Sequence, residues 1–276
     1  IQLRVFQEEK KVVYFEKVKG SQYPAVSNLF GTLEQSRFMF RDTLDNVKKL
    51  VGLKADPIAA LKKPWIYFAA IASARMALPK KVRTHSFKEI KISDLPQIQC
   101  WPMDGGSFIT LPQVYSEDVE SPGVMKSNLG MYRVQMNGND YIFNKEIGMH
   151  YQIHRGIGVH QSKANSQNQS LKVSVFIGGP PAHTLAAVMP LPEGMSELSF
   201  AGVIGGRRFR YAIEDDYTLS TDADFVICGE INANDVKPEG PFGDHLGYYS
   251  LTHDFPVMRI HKVYAKENAI WPFTVV

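Results

Sequence analysis

Apolar and polar positions follow three rhythms along the chain. Up to residue 30 the rhythm is strand-like. Val12-Val13-Tyr14-Phe15 is rich in β-branched and aromatic residues, and Lys19-Gly20-Ser21 reads as a turn. Residues 40–78 carry helical spacing. Leu44, Val47, Leu50 and Val51 mark one segment, with Asp42 or Thr43 as its cap and Gly52 as its stop. Asp56-Pro57 reads as a cap followed by proline at the first helical position, and Pro64 repeats the device before Trp65. The most apolar run, Trp65 to Ala74, is broken by Arg75. It is shorter than the ~18–20 residues of a membrane span, so it reads as a buried core helix. A basic connector, Lys80-Lys81-Val82-Arg83, follows and reads as a solvated loop.

From about residue 90 strand-like runs alternate with turns such as Asp104-Gly105-Gly106 and Asn137-Gly138. The second lies between Tyr132–Met136 and Tyr141–Phe143 and predicts a hairpin. Lys172 to Ile177 reads as a buried strand running into Gly178-Gly179-Pro180-Pro181. Short helices are expected from His183 and near Ser196. Further strands are expected over Arg208–Ile213, Phe225–Ile231, Val257–Tyr264 and Ile270–Val275. The polar run Ser162–Ser170 reads as a mobile loop, and no internal repeat is visible. The fold class is therefore α+β. A small α/β part, residues 1–95, precedes a mainly antiparallel β domain, residues 96–276.

Composition adds limits rather than detail. The chain has 276 residues, 44% hydrophobic and 21% charged, which is ordinary for a globular protein. Its net charge of +3 is too small to imply a nucleic-acid partner. Two cysteines, Cys100 and Cys228, make no disulfide framework and fit a reducing compartment, or simply two buried small residues. No signal-peptide pattern is visible, and a cytoplasmic location is expected. The first residue is Ile1 rather than Met, and the last six are the apolar run Trp271–Val276. Both ends therefore read as cut.

Four segments could carry chemistry. In Glu239-Gly240-Pro241-Phe242-Gly243-Asp244-His245, two carboxylates flank a turn fixed by glycine and proline. Such a turn could aim both acids into one cleft, and close carboxylates push each other's pKa apart. In Asn128-Leu129-Gly130-Met131-Tyr132-Arg133, a strand from Met131 would place Met131 and Arg133 on one face. Arg133 could then bind a carboxylate by paired hydrogen bonds. Met149 to Gly156 holds His150 and His154, with His160 beyond, yet no His-Glu-x-x-His motif is present. A mixed Asn/His/Glu set suits Mn²⁺ or Mg²⁺ better than zinc. In Pro190 to Gly202, Ser196 could cap a helix with Glu197 in its first turn. Each segment alone reads more simply as an ordinary loop, cap, structural histidine or surface charge.

Taken together and in order, these segments resemble the UbiD family of decarboxylases, which use prenylated flavin mononucleotide. The likeness includes Phe15 to Gly20, Asn28 to Gly31, Asp104 to Thr110, Asn128 to Arg133, Met149 to Gly156, Pro190 to Gly202 and Glu239 to Tyr249. It implies a longer enzyme, in which an N-terminal α/β region precedes a flavin-binding split β-barrel and a C-terminal domain that this chain lacks. It implies that Arg133 engages the substrate carboxylate, with Glu239 as first catalytic acid and Asp244 as proton donor. Asn128, His154 and Glu197 match the ligands of a divalent ion, Mn²⁺ or Mg²⁺, that ties down the flavin phosphate; His150 competes with His154. A potassium ion beside it would use backbone carbonyls near Val188 and Met189. The prenylated FMN itself would lie against Asn128, Met131, Tyr132, Arg133, Gln152, Ile153, Val188, Met189 and Pro190. The implied reaction is reversible, non-oxidative decarboxylation of an aromatic or α,β-unsaturated carboxylic acid. The alternatives are a phenol-type carboxylase running in reverse, or a flavin- and metal-binding module without catalysis of its own. A homo-oligomer is expected at full length, with no nucleic acid, and peripheral membrane association only if the substrate is prenylated.

Overall fold

The computed structural model describes residues 10–55, 73–83, 86–152, 156–191 and 195–275, together with Arg4, Val5, Gln7, Trp65 and Phe68; for residues 50–55 it describes the backbone only. Near the start, β1 (Val13–Phe15) and β2 (Ala25–Ser27) pair antiparallel, and β17 (Trp271–Phe273) adds to β2 in parallel. The apolar character of that last run is explained by burial, since Trp271 is fully enclosed beside Phe225. A second small sheet joins β3 (Lys80–Lys81), β11 (Arg210–Glu214) and β12 (Tyr217–Ser220).

The body of the fold is a nine-stranded antiparallel sheet. Its order is β5 (Phe108–Ile109), β8 (Val134–Gln135), β9 (Glu146–Met149), β16 (His253–Ala265), β13 (Phe225–Glu239), β10 (Leu171–Ile177), β6 (Pro112–Ser116) and β7 (Asn128–Gly130), with β4 (Lys88–Ile90) also on β16. This order forces curvature. Only Thr110 and Leu111 separate β5 from β6, yet five strands lie between them in the sheet. Laid flat, six interstrand steps would span ~29 Å. The short link reaches at most ~11 Å. The sheet therefore curls into a half-barrel that brings its edges face to face. Met131-Tyr132-Arg133 crosses the same seam from β7 to β8.

Five helices have both ends among the described residues: α1 (Leu33–Met39), α2 (Leu44–Ala55), α3 (Ile157–Ser166), α4 (Pro181–Val188) and α5 (Glu197–Ile204). The inner face of the sheet packs Val114, Ile147, Met149, Val175 and Met258 into one core. The outer face packs Tyr115, Leu129 and Phe176 against Ala186, Leu198 and Phe209 beneath α4 and α5. Because β10 is covered on both faces, its sequence is almost continuously apolar.

Several expectations need correction. Arg4, Val5 and Gln7 are helical rather than extended. The α1 helix lies outside the expected helical region and starts at a Thr32–Gln35 capping box. Gly52 does not stop α2, which continues to Ala55. Asp56-Pro57 and Pro64 lie outside the described residues. Of the supposed buried helix, Trp65, Phe68, Ser73 and Ala74 are described; Trp65 and Phe68 are helical but 73% and 75% exposed, and Ala74 begins a 3-10 turn. Lys80–Lys81 is an edge strand on β11 rather than a free connector. Residues 162–166 belong to α3, so the supposed loop is half helix. The hairpin across Asn137-Gly138 exists, but Val134 pairs with Met149, so its second strand lies beyond Tyr141–Phe143. Among the described residues, no helix is long and apolar enough to cross a membrane.

Candidate functional site

The seam of the half-barrel opens into a cleft of about 690 Å³, within the usual range for small-molecule sites. Asn128, Met131, Tyr132, Arg133, Gln152, Val188, Met189, Pro190 and Glu197 all line it, as does His150. Met131 N–H donates to the Ala187 carbonyl at 2.9 Å, docking the seam on the end of α4. His150 N–H donates to the Arg133 carbonyl at 3.2 Å, docking it on the chain leaving β9. The segment from Met131 is thus a crossing link rather than a strand; regular pairing resumes at Val134. Ile153 and His154 lie outside the described residues.

One end of the cleft carries amide and carboxylate groups. Asn128 sits on β7 opposite Ser116. Leu129 N–H and the Glu197 amide both bond the Glu197 carboxylate, which ties the start of α5 to β7. Burial is the largest influence on Glu197 and pushes its pKa up against those two bonds. No basic side chain pairs with Glu197 among the described residues. The Asn128 Nδ2 and Ser196 Oγ atoms are buried and unpartnered among the described residues. Ser196 stands at the N-cap of α5, but its side chain makes no capping bond there. The Tyr132 phenol is pushed up mainly by burial and feels the nearby charge of Glu197, while the Asn128 side chain and Ile157 amide pull it down. Gly156 takes φ +54°, and an added Cβ would lie 2.4 Å from Tyr132 Oη and 2.5 Å from Asn128 Oδ1. The orphaned Asn128 amide N–H and the glycine-cleared wall suit a phosphate, and the buried Glu197 carboxyl without a cation suits a hard cation, although among the described residues no three His, Cys, Asp or Glu side chains cluster as a metal site.

The other end holds Arg133. Its Nε and Nη2 donate to Glu239 Oε1 and Oε2, each at 2.8 Å, and Nη2 also reaches Ser250 Oγ at 3.2 Å. These bonds occupy the Nε–Nη2 edge of the guanidinium, which leaves Nη1 to donate to a substrate carboxylate. Glu239 is fully buried, and His150 Nδ1 lies 3.1 Å from its Oε2. Burial opposes ionisation of Glu239, but the hydrogen bonds and charges of His150 and Arg133 outweigh it and hold the carboxyl below its usual range. The His150 ring also lies 4.0 Å from that of Phe255.

Asp244 departs from expectation. It does not line the cleft, its side chain is 38% exposed, and it bonds the His245 amide and ring. Slight burial pushes its pKa up, but those bonds and the charges of His245 and Arg133 hold it low. The two carboxylates therefore do not split into one low and one high pKa, because each has its own cationic or donor partner. The structure brings together Asn128 with Glu197, and Arg133 with Glu239. It adds His150 as a partner of Glu239 and Gly156 as a spacer. Glycine beside a motif was a visible signal for the latter; nothing local reveals the former.

Known proteins share the sequence pattern and fold of this chain. The sequence profile described as the 3-octaprenyl-4-hydroxybenzoate carboxy-lyase Rift-related domain matches residues 72–276, and the corresponding N-terminal domain matches residues 1–54. The chain belongs to the UbiD family. A relative from Chlamydia pneumoniae, named as a subunit of 4-hydroxybenzoate decarboxylase, is 40% identical across 100% of this chain and 47% of its own length. The chain thus spans about half the length of the curated relatives it matches. UbiD-like folds recur in solved structures. The closed form of vanillic acid decarboxylase from Sedimentibacter hydroxybenzoicus has a TM-score of 0.79 at 23% identity, covering 100% of this chain and 57% of that one. The UbiD-class enzyme HmfF from Pelotomaculum thermopropionicum, in complex with FMN, has a TM-score of 0.78 at 20% identity, covering 99% of this chain and 58% of that one.

Proposed function

We propose that this chain is the cofactor-bearing part of a reversible, non-oxidative decarboxylase of aromatic or α,β-unsaturated carboxylic acids, using prenylated FMN in a split β-barrel. The observation that carries this reading is Arg133, fixed by Glu239 at one end of a cleft whose other end presents Asn128 and Glu197. In this reading Asn128 and Glu197, with His154, would hold Mn²⁺ or Mg²⁺, whose charge would offset that of a flavin phosphate. Met131, Tyr132, Gln152, Val188, Met189 and Pro190, which line the cleft, would contact the flavin, and the family resemblance adds Ile153 to them. Carbonyls near Val188 and Met189, at the C-terminal end of α4, suit a potassium ion. Prenylated FMN, when bound, supplies the electron sink that loss of CO₂ requires.

The chain's own residues bind, orient and move a proton. Arg133 Nη1 donates to the substrate carboxylate, and Glu239 keeps the guanidinium plane from rotating away. The bond between the carboxylate carbon and the ring or alkene carbon breaks, CO₂ leaves, and the electron pair stays behind. Once its bonds from His245 release, Asp244 takes up a proton from water and passes it to that carbon. In the complete, cofactor-loaded enzyme, Arg133→Ala should abolish turnover; unchanged turnover rejects the reading. The carboxylating direction uses the same groups, and ¹³CO₂ exchange at high bicarbonate measures how far it runs.

The placement of Asp244 outside the cleft favours one second reading, a flavin- and metal-binding module without catalysis of its own. Mixing this chain with prenylated FMN and Mn²⁺ separates the two. Binding without decarboxylation supports the module, and failure to bind rejects both.

A further inference from the structure

Asp244 poses a positioning problem. Its side chain is held only by its neighbour His245, among the described residues, so its place relative to Arg133 depends on the backbone that carries it. That backbone is the turn from Gly240 to Gly243, followed by the short pairing of β14 (Phe242–Gly243) with β15 (Tyr249–Ser250). Every residue of the turn is tied to a segment far away in sequence. Gly243 N–H donates to Asp104 Oδ1 at 2.8 Å, and Gly105 N–H donates to the Pro241 carbonyl at 2.8 Å. Gly240 N–H donates to Gln135 Oε1 at 2.8 Å, and the Gly240 carbonyl accepts from Asn139 Nδ2 at 2.8 Å. The Phe242 ring lies 4.7 Å from that of Phe108, and the Arg133 guanidinium sits 4.7 Å over its face.

Asp104 is the central tie. It is 7% exposed and has no basic side-chain partner among the described residues. Its second oxygen accepts from Trp101 N–H at 2.9 Å. A buried carboxylate that accepts two amide hydrogens makes strong, charge-assisted bonds. The glycines permit the approach. A Cβ on Gly105 would fall 2.1 Å from the Gly240 carbonyl oxygen, and one on Gly243 would fall 2.3 Å from Trp101. The Asp104-Gly105-Gly106 signal is therefore more than a local turn: it is a dock for the acid-bearing loop.

We infer that Asp104 and Gly105 are positioning residues that set Asp244 at its working distance from Arg133. This rests on the decarboxylase reading, since it assigns Asp244 the proton. In the full-length, cofactor-loaded enzyme, Asp104→Ala should lower kcat about 10- to 100-fold, the scale of a misplaced group. KM and flavin content should stay unchanged, because neither depends on the Gly243 amide. Exchange of that amide should accelerate more than tenfold while β10 and β13 keep their protection. Asp104→Asn retains one acceptor and should recover most of both effects. Turnover and Gly243 exchange must move together in either variant that folds. One moving without the other, or a fall in kcat matched by loss of flavin and melting temperature, overturns the inference. Arg133→Ala run in parallel separates the two failures. Turnover surviving in Arg133→Ala defeats the decarboxylase reading, whereas normal turnover in both Asp104 variants with a dead Arg133→Ala defeats only the positioning role.

Discussion

Glu239 shows how one residue can be both fully buried and ionised. Removing a carboxylate from water raises its pKa, and only donors placed on both oxygens reverse that. Arg133 and His150 do so here. The consequence for pH has a definite sign. The folded-state pKa lies below the ordinary value of 4.5, so the stabilisation from ionised Glu239 is complete above that value. It fades as pH falls through the lower folded value. Urea unfolding of wild type and Glu239→Gln should give a constant difference from pH 8 to pH 5 that shrinks below about 4.5. A difference that stays constant down to pH 3 would show that Glu239 gains nothing from its partners. The same logic explains why Asp244 and Glu239 do not split in pKa: the partners, not the five-residue spacing, decide.

At the scale of elements, close approach is governed by what is missing from a side chain. Gly156 begins α3 with positive φ and stands where a methyl group would strike Asn128 and Tyr132. Gly156→Ala should therefore weaken FMN binding at least tenfold, the usual effect of disturbing groups behind a ligand set. Titration by flavin fluorescence reads this, and unaltered affinity would show that the wall is slack. Strands such as β10 were legible because burial on both faces writes a continuous apolar run. The α3 helix was not, because its buried face includes His160 and Gln161, which bond Ser116 and Tyr151 from other elements. No local pattern encodes such partners. Asn137-Gly138 misled for a related reason. Asn137 bonds Gln97 and Ser107, so the dipeptide docks residues 97–107 instead of closing a tight hairpin. The site was legible only as motifs in order: Arg133 and Glu239 are 106 positions apart, and nothing in their spacing pairs them.

At the scale of the molecule, curvature is what makes one site from these separate motifs. The two edges of the sheet meet where β7, which carries Asn128, runs through Arg133 into β8, so the Asn128–Glu197 end and the Arg133–Glu239 end share one cleft. If Asn128 and Glu197 hold a divalent ion there, flavin and metal must bind as linked ligands. Linkage is reciprocal: the factor by which Mn²⁺ tightens FMN equals the factor by which FMN tightens Mn²⁺. Chelator-treated protein should bind FMN at least tenfold more weakly than protein with saturating Mn²⁺, and Mg²⁺ should restore part of the difference. The melting temperature should rise more with both ligands than the separate rises predict. Glu197→Gln should abolish the linkage while leaving a folded protein, because Leu129 N–H and the start of α5 still find an acceptor in the amide oxygen. Equal FMN affinity with and without metal in the wild-type protein would dissolve the Asn128–Glu197 assignment, leaving that buried carboxyl and orphaned amide as polar packing at the seam.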